Sequence, residues 1–405
     1  MTEDSMRRVY LDNNASTPLA PEVFEAMKPY LIEQYGNASS IHWYGQQVKA
    51  ALEGAREQVA KLINARPNEI AFTSGGTESD NTSVFGIVEA ARPQRGYDGK
   101  HIIISSIEHH AVLNAAQALE KRGVLVTYVP VDSTGVVDPT DVERAIHPET
   151  VLISIMHANN ELGTIQPIEE IGRVARAHDI YFHTDAVQSV GKIPVDVEKL
   201  NVDLLSLSAH KFHGPKGTGA LFVRKGTDLR PMFYGGHHER DRRPGTENVA
   251  GAVGAGKAAE LAFQKLETEG KRIAALRDRL EDAMLADVPL SVLNGDRARR
   301  LPTTTNMRFD HVEGEGFVIA MDLRGVACST GAACSSGSLE PSHVLTAIGL
   351  TKAQARSSMR FSLGRFNTAE DIDDAVERIP AVVEHLRSLS PNYKSSRQLS
   401  AVGNQ

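Results

Sequence analysis

At about 150 residues per domain, a chain of 405 residues is expected to form two or three lobes. Its 41% hydrophobic and 23% charged residues are globular values, which exclude a disordered, collagen-like or low-complexity protein. Lys and Arg total 44 against 51 Asp and Glu, and a net charge of −7 leaves no polybasic footprint for nucleic acid or an anionic membrane. No apolar run approaches the ~20 residues of a bilayer span, and residues 1–12 lack the apolar core of a signal peptide. A cytoplasmic protein is the expectation.

In chain order, apolar residues at Val48, Leu52, Ala55, Val59 and Leu62 follow the spacing of one helix face. Short apolar runs then predict buried strands at Ile70–Phe72, His101–Ile104, Val124–Tyr128, Val151–Ile155, Ile180–His183 and Leu204–Leu207. Helical stretches lie between most of them. Alternating β and α elements predict an α/β fold, a mostly parallel sheet covered on both faces. In such sheets ligands bind beyond the carboxyl ends of the strands. A long charged helical stretch, Ala255–Ala286, leads into a smaller α+β portion, with strands near Thr304–Phe309 and Met359–Ser362 and helices at Gly316–Asp322 and Ala369–Leu386. The domains expected are a large one over 16–262, a small one from 1–15 and 263–388, and a flexible polar tail over 389–405.

Three features after strand ends carry chemistry. The turn Thr73–Ser79 (TSGGTES) opens a helix, and such a turn forms a nest of N–H groups suited to phosphate, although the P-loop pattern is absent. Segment 208–217 (SAHKFHGPKG) adds Ser208 and His210 as phosphate ligands and places Lys211 at the expected crevice, where an amine can form a Schiff base with an aldehyde. Asp185 ends another strand, with Gln188 close behind, and a carboxylate there can hold a pyridinium nitrogen. Each signal is modest alone; together they match pyridoxal phosphate. The chain has two cysteines, Cys328 and Cys334, too few for a disulfide framework and poorly spaced for zinc. Cys334 lies among Gly, Ala and Ser, the composition of a flexible loop. Cys328 follows Gly325-Val326-Ala327 and reads as a small buried residue.

The motifs 11–18 (LDNNASTP), 73–81 (TSGGTESDN), 108–112 (EHHAV), 156–161 (MHANNE), 183–189 (HTDAVQS), 208–217, 243–248 (RPGTEN), the Cys334 segment through His343, and 360–365 (RFSLGR) resemble, in that order, the NifS/IscS-type cysteine desulfurases. These belong to the class-V aminotransferase group of pyridoxal-phosphate enzymes with the aminotransferase fold (fold type I). The resemblance runs from about residue 8 to 388. It implies conversion of L-cysteine to L-alanine, with the sulfur left as a persulfide on Cys334 for iron–sulfur cluster assembly or another sulfur-transfer pathway. It implies that Lys211 binds the cofactor, Asp185 its pyridine nitrogen and Gln188 its phenolic oxygen, with His109 stacked on the ring and acting in catalysis. Gly76, Thr77, Ser208 and His210 would hold the phosphate, joined by Thr246 from the second subunit of a homodimer. Asn159 would contact ring and substrate, and Arg360 the substrate carboxylate. A sulfur-acceptor or iron–sulfur scaffold protein is the implied partner. No resident metal is assigned, with Cys334 a transient iron–sulfur ligand at most. The rivals are another enzyme of the fold, such as an aminotransferase or selenocysteine lyase, and a scaffold in which two subunits share a cluster through Cys328 and Cys334.

Overall fold

The computed structural model describes residues 6–91, 99–330, 340–391 and 393. Cys334 and most of the polar terminal segment, from 394 onward, lie outside the described residues.

Seven strands form the main sheet, in the spatial order Ile70–Thr73, Gly219–Val223, Leu204–Ser208, Tyr181–Asp185, Thr150–Ser154, His101–Ser105 and Leu125–Val129. From Leu204–Ser208 onward the neighbours run parallel. All six strands expected from apolar runs are present. The seventh, Gly219–Val223, was not anticipated, and it lies antiparallel between Ile70–Thr73 and Leu204–Ser208. Helices cover both faces, and apolar clusters fill each side, one around Val59, Ile103 and Phe182 and the other around Ile87, Ile104 and Leu204. Period-two side-chain alternation sends neighbouring residues of one strand into opposite clusters, which is why these strands read as continuous apolar runs.

One helix, Val249–Asp287, runs 39 residues, roughly 58 Å at 1.5 Å per residue. Its first half buries Ala252, Gly254, Ala255, Gly256 and Ala259. Small residues are needed there because a Cβ on Gly256 would stand 2.6 Å from the Ala55 Cα of the helix Trp43–Leu62. Its second half buries Ile273, Leu280 and Met284 in a separate cluster with Phe309, Phe317, Phe361 and Ile379. That cluster also takes Val9 and Leu11, so the start of the chain packs with its end. A four-stranded antiparallel sheet, in the order Ser329–Thr330, Ser358–Ser362, Thr304–Phe309 and Ser291–Asn294, carries one face of it. Helices Gly314–Asp322 and Ala369–Leu389 close the other.

A buried ion pair anchors the loop that precedes the long helix. The Arg56 guanidinium donates to both carboxylate oxygens of Glu239, at 2.5 and 2.9 Å, and to the Ile70 carbonyl at 2.9 Å. Glu239 also accepts from the Phe72 amide at 2.9 Å, and its own backbone is left-handed at φ 46°. Removing one partner of such a pair strands an uncompensated buried charge. Glu239→Ala should therefore destabilise the fold by about 3–5 kcal/mol, read as a drop in the urea midpoint. A change below about 1 kcal/mol, the surface-pair range, would show that the pair carries no such weight.

Candidate active site

A cavity of about 350 Å³ opens at the carboxyl ends of the parallel strands, large enough for a small cofactor. Asp185 and Ser208 are the last residues of their strands, and both line it. Gly76 and Thr77 begin the helix Gly76–Ala90. The first N–H groups of a helix have no intrahelical acceptor and carry the positive end of its dipole, so they suit an anion. Gly76 packs directly on Val187: a Cβ on it would meet the Val187 Cγ2 at 2.6 Å. Glu78 braces the turn, accepting from the Ser74 amide at 2.9 Å and from Arg243 at 3.0 Å.

Of the residues expected from the sequence, Gly76, Thr77, His109, Asp185, Gln188, Ser208, His210, Lys211 and Arg360 all line this one cavity. Asn159 does not. It is wholly buried behind the wall, where its side-chain oxygen accepts from the amides of Glu161 and Leu162 and its nitrogen donates to the Ile107 carbonyl. The neighbouring Asn160 lines the cavity in its place. Thr246 is exposed and is not among the lining residues of its own chain's cavity. Sequence reasoning assigned no role to Asn14, Asp80 and Met156, which line the cavity too. All three fall inside the motifs of residues 11–18, 73–81 and 156–161, but their direction is set by the tertiary packing.

The Lys211 Nζ donates to the Asn14 and Ala15 carbonyls at 2.6 and 3.0 Å. Lys216, five residues on, is exposed. Asp185 accepts from the Val187 amide at 2.9 Å. Burial pushes its carboxyl up to about 6, against the pull of that amide and of Lys211. Atoms of Asp80, His109 and Asp185 lie within 4.8 Å of one another, and Asp80 Oδ1 is buried with no hydrogen-bond partner among the described residues. Burial and the nearby Asp185 raise the Asp80 carboxyl well above its ordinary range. This end of the cavity suits a ring N–H with cationic character.

The Nδ1 of His109 accepts from the Ala111 amide at 3.1 Å, which leaves the proton of the neutral ring on Nε2. Burial, then Lys211, His110 and His343, lower its pKa to about 4, so near neutral pH the ring is an uncharged N–H donor. Arg360 is buried, donating to Asp12 at 2.7 Å and to the Asn160 carbonyl at 3.0 Å, while its Nε has no hydrogen-bond partner among the described residues. A fixed cation with a spare donor is what a carboxylate ligand requires. Cys328 is buried in the cluster around Phe361, and burial raises its thiol pKa strongly, which makes it a poor nucleophile.

Residues 9–375 match the family described as Aminotransferase class-V. The chain is 52% identical over 397 residues to a protein named cysteine desulfurase IscS from Dictyoglomus turgidum, covering 97% of this chain and 99% of that one. Among solved structures it resembles a NifS-like protein, with a TM-score of 0.87 and 39% identity over 93% of this chain and all of that one. It also resembles SspA, whose structure is in complex with cysteine, with a TM-score of 0.77 and 40% identity over 89% of this chain and all of that one. The chain belongs to the class-V aminotransferase family, and its cofactor is pyridoxal 5′-phosphate. The cavity fits that group: an amine at Lys211, carboxylates at Asp185 and Asp80, and anion donors at Gly76, Thr77, Ser208 and His210 border one space.

Beside the cavity, Glu108 is fully buried. One oxygen accepts from Ser105 Oγ at 2.5 Å and the Met156 amide at 2.9 Å, while the other has no partner among the described residues. Burial raises its pKa from 4.5 to about 8. The folded state therefore favours the protonated acid; that stabilisation is full below pH 4.5 and is lost as the pH rises through about 8. Glu108→Gln keeps an accepting oxygen and removes the titration. Between about pH 5 and pH 8 it should gain on wild type by roughly 3–4 kcal/mol, measured by urea unfolding at both values. Equal pH slopes in the two proteins would refute the assignment.

Proposed function

We propose that this cavity performs cysteine desulfuration, with Lys211, Asp185, Arg360 and Cys334 as its principal residues. The chain is a pyridoxal-phosphate-dependent cysteine desulfurase, converting L-cysteine to L-alanine with transfer of the sulfur. The observation that carries the residue assignment is the convergence of Lys211, Asp185, Arg360 and the Gly76–Thr77 helix start on one cavity.

When bound, pyridoxal phosphate supplies an electron sink for the pair released at the substrate Cα. Lys211 would hold it through Nζ, and Asp185 would keep the ring nitrogen protonated. Gln188 would donate to the phenolic oxygen, and Gly76, Thr77, Ser208 and His210 to the phosphate. Arg360 orients cysteine by its carboxylate. The Lys211 amine, displaced by the incoming substrate, takes the Cα proton. The Cys334 thiolate then attacks the substrate sulfur: the new S–S bond forms, the C–S bond breaks with its electron pair passing to the substrate Cβ, and alanine leaves once Cβ has taken a proton and Lys211 has returned one to Cα. His109, with its proton on Nε2, is set to donate rather than to accept during that step. The persulfide then goes to an acceptor, which we infer to be a sulfur-carrier or iron–sulfur scaffold protein.

The test uses single variants of the cofactor-loaded enzyme, assayed for cysteine-dependent alanine and sulfide. Lys211→Ala should lose both products and the label that borohydride otherwise fixes at this lysine. Cys334→Ala should keep the cofactor and lose sulfide production. Cys328→Ala should retain most activity, with a packing loss of about 1 kcal/mol. A borohydride label on Lys216, or full activity in Cys334→Ala, would sink the assignment.

We further infer a homodimer with composite sites. Tyr35, Ile41, Trp43 and Tyr234 are 65–91% exposed, an apolar surface suited to subunit contact, and Thr246 lies outside its own cavity. The separate apolar clusters support a cofactor-binding domain over 16–262 and a smaller one built from both ends of the chain. Mixing inactive Lys211→Ala and Thr246→Ala chains should restore activity to about a quarter of the sites under random pairing. No recovery after demonstrated subunit exchange would reject the shared site.

A further inference from the structure

Lys192 is a buried lysine one turn beyond Gln188, behind the cofactor cavity. Its Nζ donates to Gln188 Oε1 at 2.7 Å and to Asn14 Oδ1 at 3.0 Å. The charges that act on it, Lys211 and Arg360, are both positive, and with burial they drive its pKa well below the ordinary lysine value. His210 and His213 feel its charge in turn. An amine buried against two neutral amides and acted on by the cations Lys211 and Arg360 is costly to the fold, which argues that its geometry serves the site.

The Lys192 amine donates to the Gln188 oxygen, so that oxygen faces the lysine and the amide nitrogen is turned the other way. That nitrogen gives one N–H to the Asn14 carbonyl at 3.0 Å, the same carbonyl that receives the Lys211 amine at 2.6 Å. Its second N–H stays available to the cavity that Gln188 lines. A rotated amide would instead present an oxygen, which would repel the ionised phenolic oxygen of the cofactor.

We propose that Lys192 is a positioning residue: it locks the Gln188 amide with its N–H toward the cofactor and braces Asn14, the residue on which the Lys211 amine rests. This builds on the assignment of Gln188 to the phenolic oxygen.

The experiment compares Lys192→Met, Lys192→Gln, Gln188→Leu and the Lys192→Met/Gln188→Leu double variant, each reconstituted with pyridoxal phosphate. Three quantities are read: the pH midpoint of the bound cofactor's absorbance, the rate of cofactor loss on dilution, and thermal unfolding of the apoprotein. Loss of an N–H donor to the phenolic oxygen favours the protonated chromophore. Lys192→Met should thus raise its proton affinity roughly tenfold and speed cofactor loss about tenfold, and Lys192→Gln should do so by less. Apoprotein unfolding should stay unchanged or rise. The double variant should shift no further than the larger single. An unmoved midpoint in both Lys192 variants, with a shift in Gln188→Leu, overturns the proposal and leaves the Gln188 reading standing. An unmoved midpoint in Gln188→Leu overturns both.

Discussion

Asn14 engages every polar atom it has in joining segments hundreds of residues apart. Its amide donates to Ser362 Oγ and its carbonyl accepts from Gln188 and Lys211. Its side-chain nitrogen donates to the Asn160 carbonyl and Thr304 Oγ1, and its side-chain oxygen accepts from Lys192. Both sheets, and the turn that follows Asp185, are thereby held in register around one cavity. Neighbouring contacts reinforce this node: Asn13 bonds the Ser362 carbonyl and Asn367, and Asp12 pairs with Arg360. Buried amides suit such a junction, because each offers donors and acceptors in fixed directions without the desolvation cost of a charge.

The wall around this node is kept close to electrically neutral by burial. Glu108 and Glu161 are pushed up to about 8 and about 7, while His157 and His183 are lowered to about 4 and about 3. Hydroxyls complete the network: Ser154 and Ser206 bond the two nitrogens of His183, and Ser342 donates to Glu161. Near neutral pH the histidines of this wall are uncharged and Glu108 favours its protonated form. The charges of Lys211, Arg360 and Asp185 therefore act through a medium of low polarity, where each is worth more than in water. Cys328, beside this region, is silenced by the same desolvation.

Much of this was legible in the chain. Six strands of the main sheet, the helical face from Val48 to Leu62 and the two helices of the smaller portion follow from apolar periodicity, because burial on one or both faces leaves that trace in any sequence. The strand Gly219–Val223 escaped although Ala220–Val223 is a short apolar run like those of the other strands; its antiparallel direction depends on its neighbours. The long helix was anticipated from Ala255 but begins at Val249. Glycine and alanine give those first turns weak apolar periodicity, and their packing on Ala55 is a tertiary fact.

For the site, the sequence by itself determined which residue types stand at strand ends: Asp185, Ser208, the lysine at 211 and the glycines before Thr77. Strand, turn and helix start are local, so the chemistry they expose can be read locally. Only the tertiary structure decided that Asn160 rather than Asn159 faces the cavity, that Arg360 arrives from the other sheet, and that Asp80 and Lys192 stand behind the reacting groups. Those outcomes depend on which donor meets which acceptor across separations of up to 348 residues. Long-range pairing of that kind leaves no period in a sequence, because it is settled when the packed layers bring the partners within hydrogen-bonding distance.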